Sequence, residues 1–147
     1  MNRYFRAGFI FVLFTAILGC GVAKTKASAE KVAVSFYEAI KTKNFDQALS
    51  NVGDIGFAAT PREKWIALLQ DINDKVGNLQ GYQLGSWGFN TSTGKGTEIT
   101  LNVSAVYAKA SWNEKIKLFN PPGTDKIQIV AYDVNVKEEE KKSEETK

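Results

Sequence analysis

The hydrophobic period of this chain changes at Gly77, and that change constrains the fold more than any other feature. Before Gly77, apolar residues recur at the 3.6-residue spacing of helices with one buried face. After it, they alternate with polar residues, as in strands with one buried face. The spacing predicts helices over 28–44, 45–52 and 60–77. Helices followed by strands indicate an α+β domain.

The second half of the chain predicts four strands joined by short connections. Their expected ranges are 79–90, 97–108, 112–119 and 126–136. The alternation slips by one residue between Leu84 and Trp87, which predicts a β-bulge near Gly85. The last strand is apolar on both faces, so we expect it to lie centrally in the sheet. The predicted fold is a set of N-terminal helices packed on a curved four-stranded antiparallel sheet.

The first twenty residues have the composition of a bacterial export signal. Arg3 and Arg6 are followed by an uncharged run from Ala7 to Leu18, which is short for a membrane span. The run ends in Ile-Leu-Gly-Cys at 17–20, which resembles a lipobox. That resemblance implies cleavage after Gly19 and attachment of lipid, including palmitate, to Cys20.

A second reading of this segment stays open. Cys20 is then an ordinary small residue near a signal-peptidase site, and Ala23 or Ala27 marks a different cleavage point. The lipobox reading divides the chain into a signal peptide (1–19), a lipidated cysteine with a flexible tether (20–29), a folded domain (30–136) and a charged disordered tail (137–147). In this reading Ser28 caps the first helix.

Composition excludes several functional classes. The formal net charge is only +3, which argues against nucleic acid as a partner. The chain has no histidine, so imidazole catalysis and histidine metal ligation are excluded. The one cysteine is Cys20, which leaves no second thiol for a disulfide within the chain. No phosphate-binding glycine loop is present, and we predict neither a cofactor nor a metal site.

The order of elements resembles a known superfamily. The opening helix with VAVSFYEAIKTKNFDQAL, the helix TPREKWIALLQDI and the closing KIQIVAYDV look like the NTF2-like (cystatin-like) α+β cone proteins. Within them, the chain most resembles the exported proteins of unknown function classed as DUF4019. The resemblance covers residues 30–136 and rests on structural motifs.

Aromatic and acidic residues provide the candidates for ligand binding. Cone folds often hold a pocket between helices and sheet, and the resemblance implies that tyrosines and an aspartate there can act as ligands or as acid and base. The ligand-binding candidates are Tyr37, Tyr107, Trp112, Tyr132 and Asp133. For catalysis, Tyr82 and Asp54 join the candidate set, although packing explains these tyrosines without any catalytic role.

The leading hypothesis is a lipoprotein of the bacterial cell envelope with a non-catalytic cone domain. It is expected to bind the lipid bilayer through acylated Cys20, and an envelope protein or a small apolar ligand through the domain. The expected location is the periplasmic face of the outer membrane in a Gram-negative cell, or the outer face of the cell membrane otherwise. The alternative is an isomerase or hydrolase that uses Tyr and Asp in the cone cavity. A third possibility is a structural spacer.

Overall fold

The structure is a computed structural model that describes residues 19–135, with the side chains of residues 21–134. The predicted signal peptide before Gly19, the side chain of Cys20 and the charged tail lie outside the described residues. The helices are α1 (Gly19–Lys41), α2 (Phe45–Leu49), α3 (Asp54–Ala59) and α4 (Arg62–Val76), and the strands are β1 (Leu79–Ser92), β2 (Gly96–Tyr107), β3 (Ser111–Asn120) and β4 (Gln128–Asn135).

The predicted α+β architecture is confirmed. The strands form one antiparallel sheet in the order β1-β2-β3-β4, so each strand pairs with its neighbour in the chain. The predicted bulge is present, because the register of β1 against β2 shifts between Leu84 and Trp87. The inner face of the sheet packs against α1, and the core lies between them.

Helix α1 begins earlier than the sequence predicted. The residues expected to form a flexible tether, 20–29, belong to α1, and Ser28 lies within the helix instead of capping it. Alanine and lysine have high helix propensity, and Ala29 is already fully buried in the core. The Lys24 ammonium also makes an ion pair with Asp125 of the β3–β4 loop, at 2.8 Å. Packing therefore extends the helix through the predicted tether.

Strand β4 lies at an edge of the sheet, so its predicted central position is wrong. Its apolar second face is explained by the chain that covers this edge. Val52 forms a parallel bridge with Ile129, and the backbone N–H of Ile129 donates to the carbonyl of Asn51 at 2.8 Å. Helix α3 then packs on β4, in a segment where the sequence predicted a loop.

Helix α4 begins and ends close to its predicted limits, but the capping box that Thr60-Pro61-Arg62-Glu63 predicts at its start is absent. No side chain caps α4, and the backbone N–H of Thr60 instead closes the end of α3 by donating to the Gly56 carbonyl. At the other end Gly77 has a φ of 81° and stops the helix, as predicted. Among the described residues, no helix combines the length and apolar character needed to cross a membrane.

Candidate functional site

A buried glutamate on β3 accepts hydrogen bonds from tyrosines of two other elements. Glu114 is only 2% exposed, and its two carboxylate oxygens accept hydrogen bonds from different hydroxyls. The Tyr37 Oη of α1 donates to Oε2 at 2.7 Å, and the Tyr107 Oη of β2 donates to Oε1 at 2.7 Å. Glu114 thereby links the helix to two strands. We call Glu114, Tyr37, Tyr107 and the adjacent Tyr132 the tyrosine–glutamate cluster.

The alternation of β3 accounts for the position of this carboxylate. Glu114, Ile116 and Leu118 share one face of the strand, and all three are buried. Side chains two residues apart point to the same side of a sheet, so the apolar residues hold Glu114 toward the core. On β2, Tyr107 lies on the same inner face, at the end of the strand.

Burial dominates the electrostatics of the cluster. It raises the pKa of the Glu114 carboxyl above the ordinary value of 4.5, and the hydrogen bonds from the tyrosines offset that rise only in part. Burial also raises the pKa of Tyr37, Tyr107 and Tyr132 well above 10.0, and the nearby Glu114 charge raises each further. The neutral phenol is therefore the favoured form of all three tyrosines.

Aromatic rings enclose the cluster. Tyr37 stacks on Tyr82 with ring centroids 4.8 Å apart, and Phe36 meets the Tyr132 ring edge to face at 5.5 Å. Tyr132 also stacks against Trp65, with the centroids 6.4 Å apart. Such contacts add roughly 0.5 to 1.5 kcal/mol each beyond the area they bury. The rings form a packed wall around the carboxylate.

Two polar atoms in this wall are buried without a hydrogen bond. They are Nε1 of Trp65 and Oη of Tyr132. The Tyr132 hydroxyl is close enough to Glu114 to help lower the pKa of that carboxyl, but it makes no hydrogen bond of ordinary geometry.

Three surface pockets lie away from the cluster. A pocket of about 470 Å³ lies between the β1–β2 turn and the β3–β4 loop, and we call residues 91–97 and 120–126 the loop end of the sheet. A second pocket, of about 380 Å³, lies on the outer face of the sheet, with Ile55, Phe119 and Val130 in its wall. A third, of about 500 Å³, follows the outer surface of α1. Neither Glu114 nor the three tyrosines line any of these pockets.

The structure brings together three of the predicted ligand-binding residues and separates two. Tyr37, Tyr107 and Tyr132 meet at Glu114 and are each at most 7% exposed. Trp112 is half-buried and packs against the Tyr107 ring, with the centroids 5.6 Å apart. Asp133 is exposed and does not join the cluster.

Two other catalytic candidates also lie apart from Glu114. Asp54 is exposed at the start of α3. The Tyr82 hydroxyl donates to the Glu38 carboxylate at 2.9 Å, and burial followed by this bond raises the pKa of Tyr82 to about 12. The predicted cleavage site at Gly19 and the lipid attachment at Cys20 lie where no side chain is described.

Glu114 is the residue that sequence reasoning missed. The signal was present, because Glu114 falls in phase with Trp112, Ile116 and Leu118 along β3. A charge in the apolar phase of a strand indicates a buried, hydrogen-bonded carboxylate. Asp133 on the next strand was the acidic candidate predicted from sequence, but Glu114 is the acidic residue that is buried.

Metal binding has no support in the part of the chain from 19 to 135, where no group of three His, Cys, Asp or Glu residues has the arrangement to hold an ion. No family model and no curated protein matches this chain. The resemblance to NTF2-like proteins and to the DUF4019 family therefore stays a prediction.

Proposed function

We propose that this protein is a lipid-anchored domain of the bacterial cell envelope that acts by binding and not by catalysis. In this proposal the signal is cut after Gly19 and Cys20 carries the acyl chains. Two or more chains anchor a protein stably, because each buried methylene contributes about 0.8 kcal/mol. The Ile-Leu-Gly-Cys sequence at 17–20 supports the anchor, and its last two residues already belong to helix α1.

The observation that carries the non-catalytic part is the engagement of Glu114. Both of its oxygens accept hydrogen bonds from buried tyrosines, and the carboxylate is 2% exposed. A general acid or base must reach its substrate within hydrogen-bond distance. The group best suited to acid–base work in the described domain therefore holds α1 on the sheet.

For the bound partner, the outer pocket lined by Ile55, Phe119 and Val130 offers a largely apolar site. Ile55 is 56% exposed, which is high for a large aliphatic side chain, and a volume of about 380 Å³ falls in the range of ligand pockets. Lys117 and Glu98 also line it, so an occupant meets both an apolar surface and charge. This chemistry fits a small apolar ligand or an apolar side chain of an envelope protein.

The anchor is tested by expressing the full chain in bacteria with radioactive palmitate. We expect labelled protein that begins at Cys20, and no label or processing in Cys20→Ala. Ala27→Ser is the matched control, because Ala27 marks the alternative cleavage point. Label retained in Cys20→Ala, or a mature chain that begins after Ala23 or Ala27 with no acyl mass, contradicts the lipoprotein assignment.

The binding site is tested by placing a photo-cross-linking benzophenone amino acid at Ile55 in the membrane-bound protein. Val106 is the matched control, since it is also an exposed aliphatic residue, at 44%, and does not line the pocket. We expect a discrete adduct from position 55 only. Equal adducts from both positions, or none from position 55, contradict binding at this pocket.

The enzyme alternative keeps one supporting observation, the raised pKa of Glu114 beside three tyrosines. Here Glu114 takes the place for which the sequence suggested an aspartate. Such an enzyme must open the aromatic wall to admit its substrate. Titration with an apolar naphthalene sulfonate dye separates the two functions: saturable binding that Tyr132→Phe alters favours the enzyme, and no dye uptake by the cluster favours the binding domain.

A further inference from the structure

The first half of α1 lies close to the loop end of the sheet. The Lys24 ammonium pairs with the Asp125 carboxylate at 2.8 Å, in the β3–β4 loop. Two residues later, the Lys26 ammonium lies over the Trp87 ring of β1, 5.9 Å from its centroid. Lys24 lies only four positions after Cys20, which is about 6 Å along a helix. A lipid anchor on Cys20 therefore places the loop end at the membrane surface.

Lysines are concentrated at this end of the domain. Lys24 and Lys26 come from α1, Lys95 from the β1–β2 turn and Lys126 from the β3–β4 loop, and all four are exposed. Asp125 lies among them, in the ion pair with Lys24. The three elements together place a net positive charge beside the anchor.

Between the two loops lies the 470 Å³ pocket, whose lining is rich in hydroxyl groups. Its hydroxyl-bearing residues are Thr91, Ser92, Thr93, Thr97 and Thr124. Hydroxyls and loop amides donate hydrogen bonds to phosphate oxygens, and lysines beside them supply charge. The Asp125 carboxylate is also part of the lining, and Lys95 and Lys126 adjoin the lining residues in the chain, so lysines outnumber the acidic group here.

We infer that the loop end of the sheet is a docking surface for anionic lipid headgroups in the membrane that carries the anchor. The inference rests on the proposed function, because the acyl chains on Cys20 bring this surface to the bilayer. Each lysine near an anionic surface strengthens binding about fivefold, which corresponds to about 1 kcal/mol. The domain is then held in one orientation.

The test measures sedimentation of residues 20–147, produced without the acyl chains so that the anchor does not mask the lysines, with vesicles made of equal parts phosphatidylglycerol and phosphatidylcholine. Lys95→Gln/Lys126→Gln removes two charges from the loop end. Lys41→Gln/Lys109→Gln is the matched control, because Lys41 ends α1 and Lys109 lies in the β2–β3 turn, both at the opposite end of the domain. We expect roughly 30-fold weaker binding for the first variant and a change within about twofold for the control.

Several results would overturn the inference. They are equal losses in the two double variants, equal binding to pure phosphatidylcholine vesicles, and insensitivity to salt between about 0.1 and about 1 M. Loss of vesicle binding when inorganic phosphate is added at constant ionic strength would also overturn it, since the pocket would then be a site for the free anion.

Failure of the proposed function is measured separately, from the mass of Cys20 in the full chain isolated from bacterial membranes. If Cys20 is unmodified and the two double variants still differ in vesicle binding, the lipid anchor is contradicted and the docking surface is supported. If Cys20 is acylated and the two double variants bind vesicles equally, the lipid anchor is supported and the docking surface is contradicted.

Discussion

The tyrosine–glutamate cluster and the loop end of the sheet use polar residues in opposite ways. In the cluster, the carboxylate of Glu114 is buried and both its oxygens accept hydrogen bonds from tyrosines. These bonds hold α1 against β2 and β3. At the loop end, hydroxyl-bearing residues and Asp125 line an open pocket between two turns, and the exposed Lys95 and Lys126 adjoin this lining in the chain. The contrast teaches that the residues richest in catalytic potential are not the ones available to a partner.

The largest expected effect is the loss of Glu114. We expect Glu114→Ala to lower the free energy of unfolding by about 3 to 5 kcal/mol, because it leaves the hydroxyls of Tyr37 and Tyr107 buried without an acceptor. Glu114→Gln should cost about 1 to 3 kcal/mol, since one oxygen remains. Urea denaturation measures both. Asp133→Ala, on the next strand, is the control and should change the free energy of unfolding by at most about 0.5 kcal/mol. Equal losses of stability from Glu114→Ala and Asp133→Ala would contradict the difference between a buried and an exposed carboxylate.

The loop end offers the second test, at Gly96. This residue has a φ of 101°, and a Cβ built on it would lie 2.4 Å from the Asn120 carbonyl oxygen. We expect Gly96→Ala to cost about 1 to 3 kcal/mol, because the turn must shift away from β3. Gly94 also has a positive φ, 73°, but open space around it, so Gly94→Ala should cost less. Thermal unfolding compares the pair, and equal costs would show that contact with Asn120 does not shape the loop end.

Alkaline pH separates the cluster from exposed tyrosines. The pKa values of Tyr37, Tyr107 and Tyr132 are higher in the folded state than the ordinary 10.0, so their neutral forms stabilise the fold below pH 10. As pH rises above 10, each should remove about 1.4 kcal/mol of stability per pH unit until its folded pKa is reached. Tyr37→Phe should make the loss of stability above pH 10 less steep by about 1.4 kcal/mol per pH unit. A slope that Tyr37→Phe leaves unchanged would place that hydroxyl in solvent.

The smallest expected effect is at the ion pair that joins α1 to the loop end. Both side chains are well exposed, 66% for Lys24 and 78% for Asp125. We therefore expect Asp125→Asn to cost about 0 to 1 kcal/mol. Local hydrogen exchange at the amides of 21–28 is the sensitive readout, and faster exchange there without a change in global stability is the predicted result. A loss of several kcal/mol would mean that the ion pair, and not the core contact of Ala29, holds this part of α1.

The sequence predicts the fold because its periodicity depends on local geometry. The stop of α4 at Gly77 and the bulge between Leu84 and Trp87 both follow from residue type and phase. Position within the sheet depends on contacts between distant residues. The apolar faces of β4 predicted a central strand, but the bridge from Val52 to Ile129 covers an edge instead. The extension of α1 likewise depends on packing of residues that are unremarkable in sequence.

The site was predictable in part. The tyrosines at 37, 107 and 132 were expected to face the core, and they do. Their meeting point was not predicted. Asp133 was chosen as a candidate because it is a charged residue in the apolar strand β4, whereas Glu114 is the charged residue on the buried face of β3. A phase count across each strand finds such a residue. The pairing of Glu114 with Tyr37, 77 positions away, depends on tertiary structure that no local pattern contains.

Titration of the Glu114 carboxyl in the folded protein tests the central claim most directly, and it is followed through the ¹³C chemical shift of its side chain. Burial predicts a midpoint above 4.5. By linkage, the contribution of Glu114 to stability is then fully present below pH 4.5 and declines as pH rises through that midpoint. Tyr37→Phe should move the midpoint higher still, because a hydrogen bond that lowers the pKa is removed. A midpoint at or below 4.5, unmoved by Tyr37→Phe, would contradict the account by showing a carboxylate in contact with solvent.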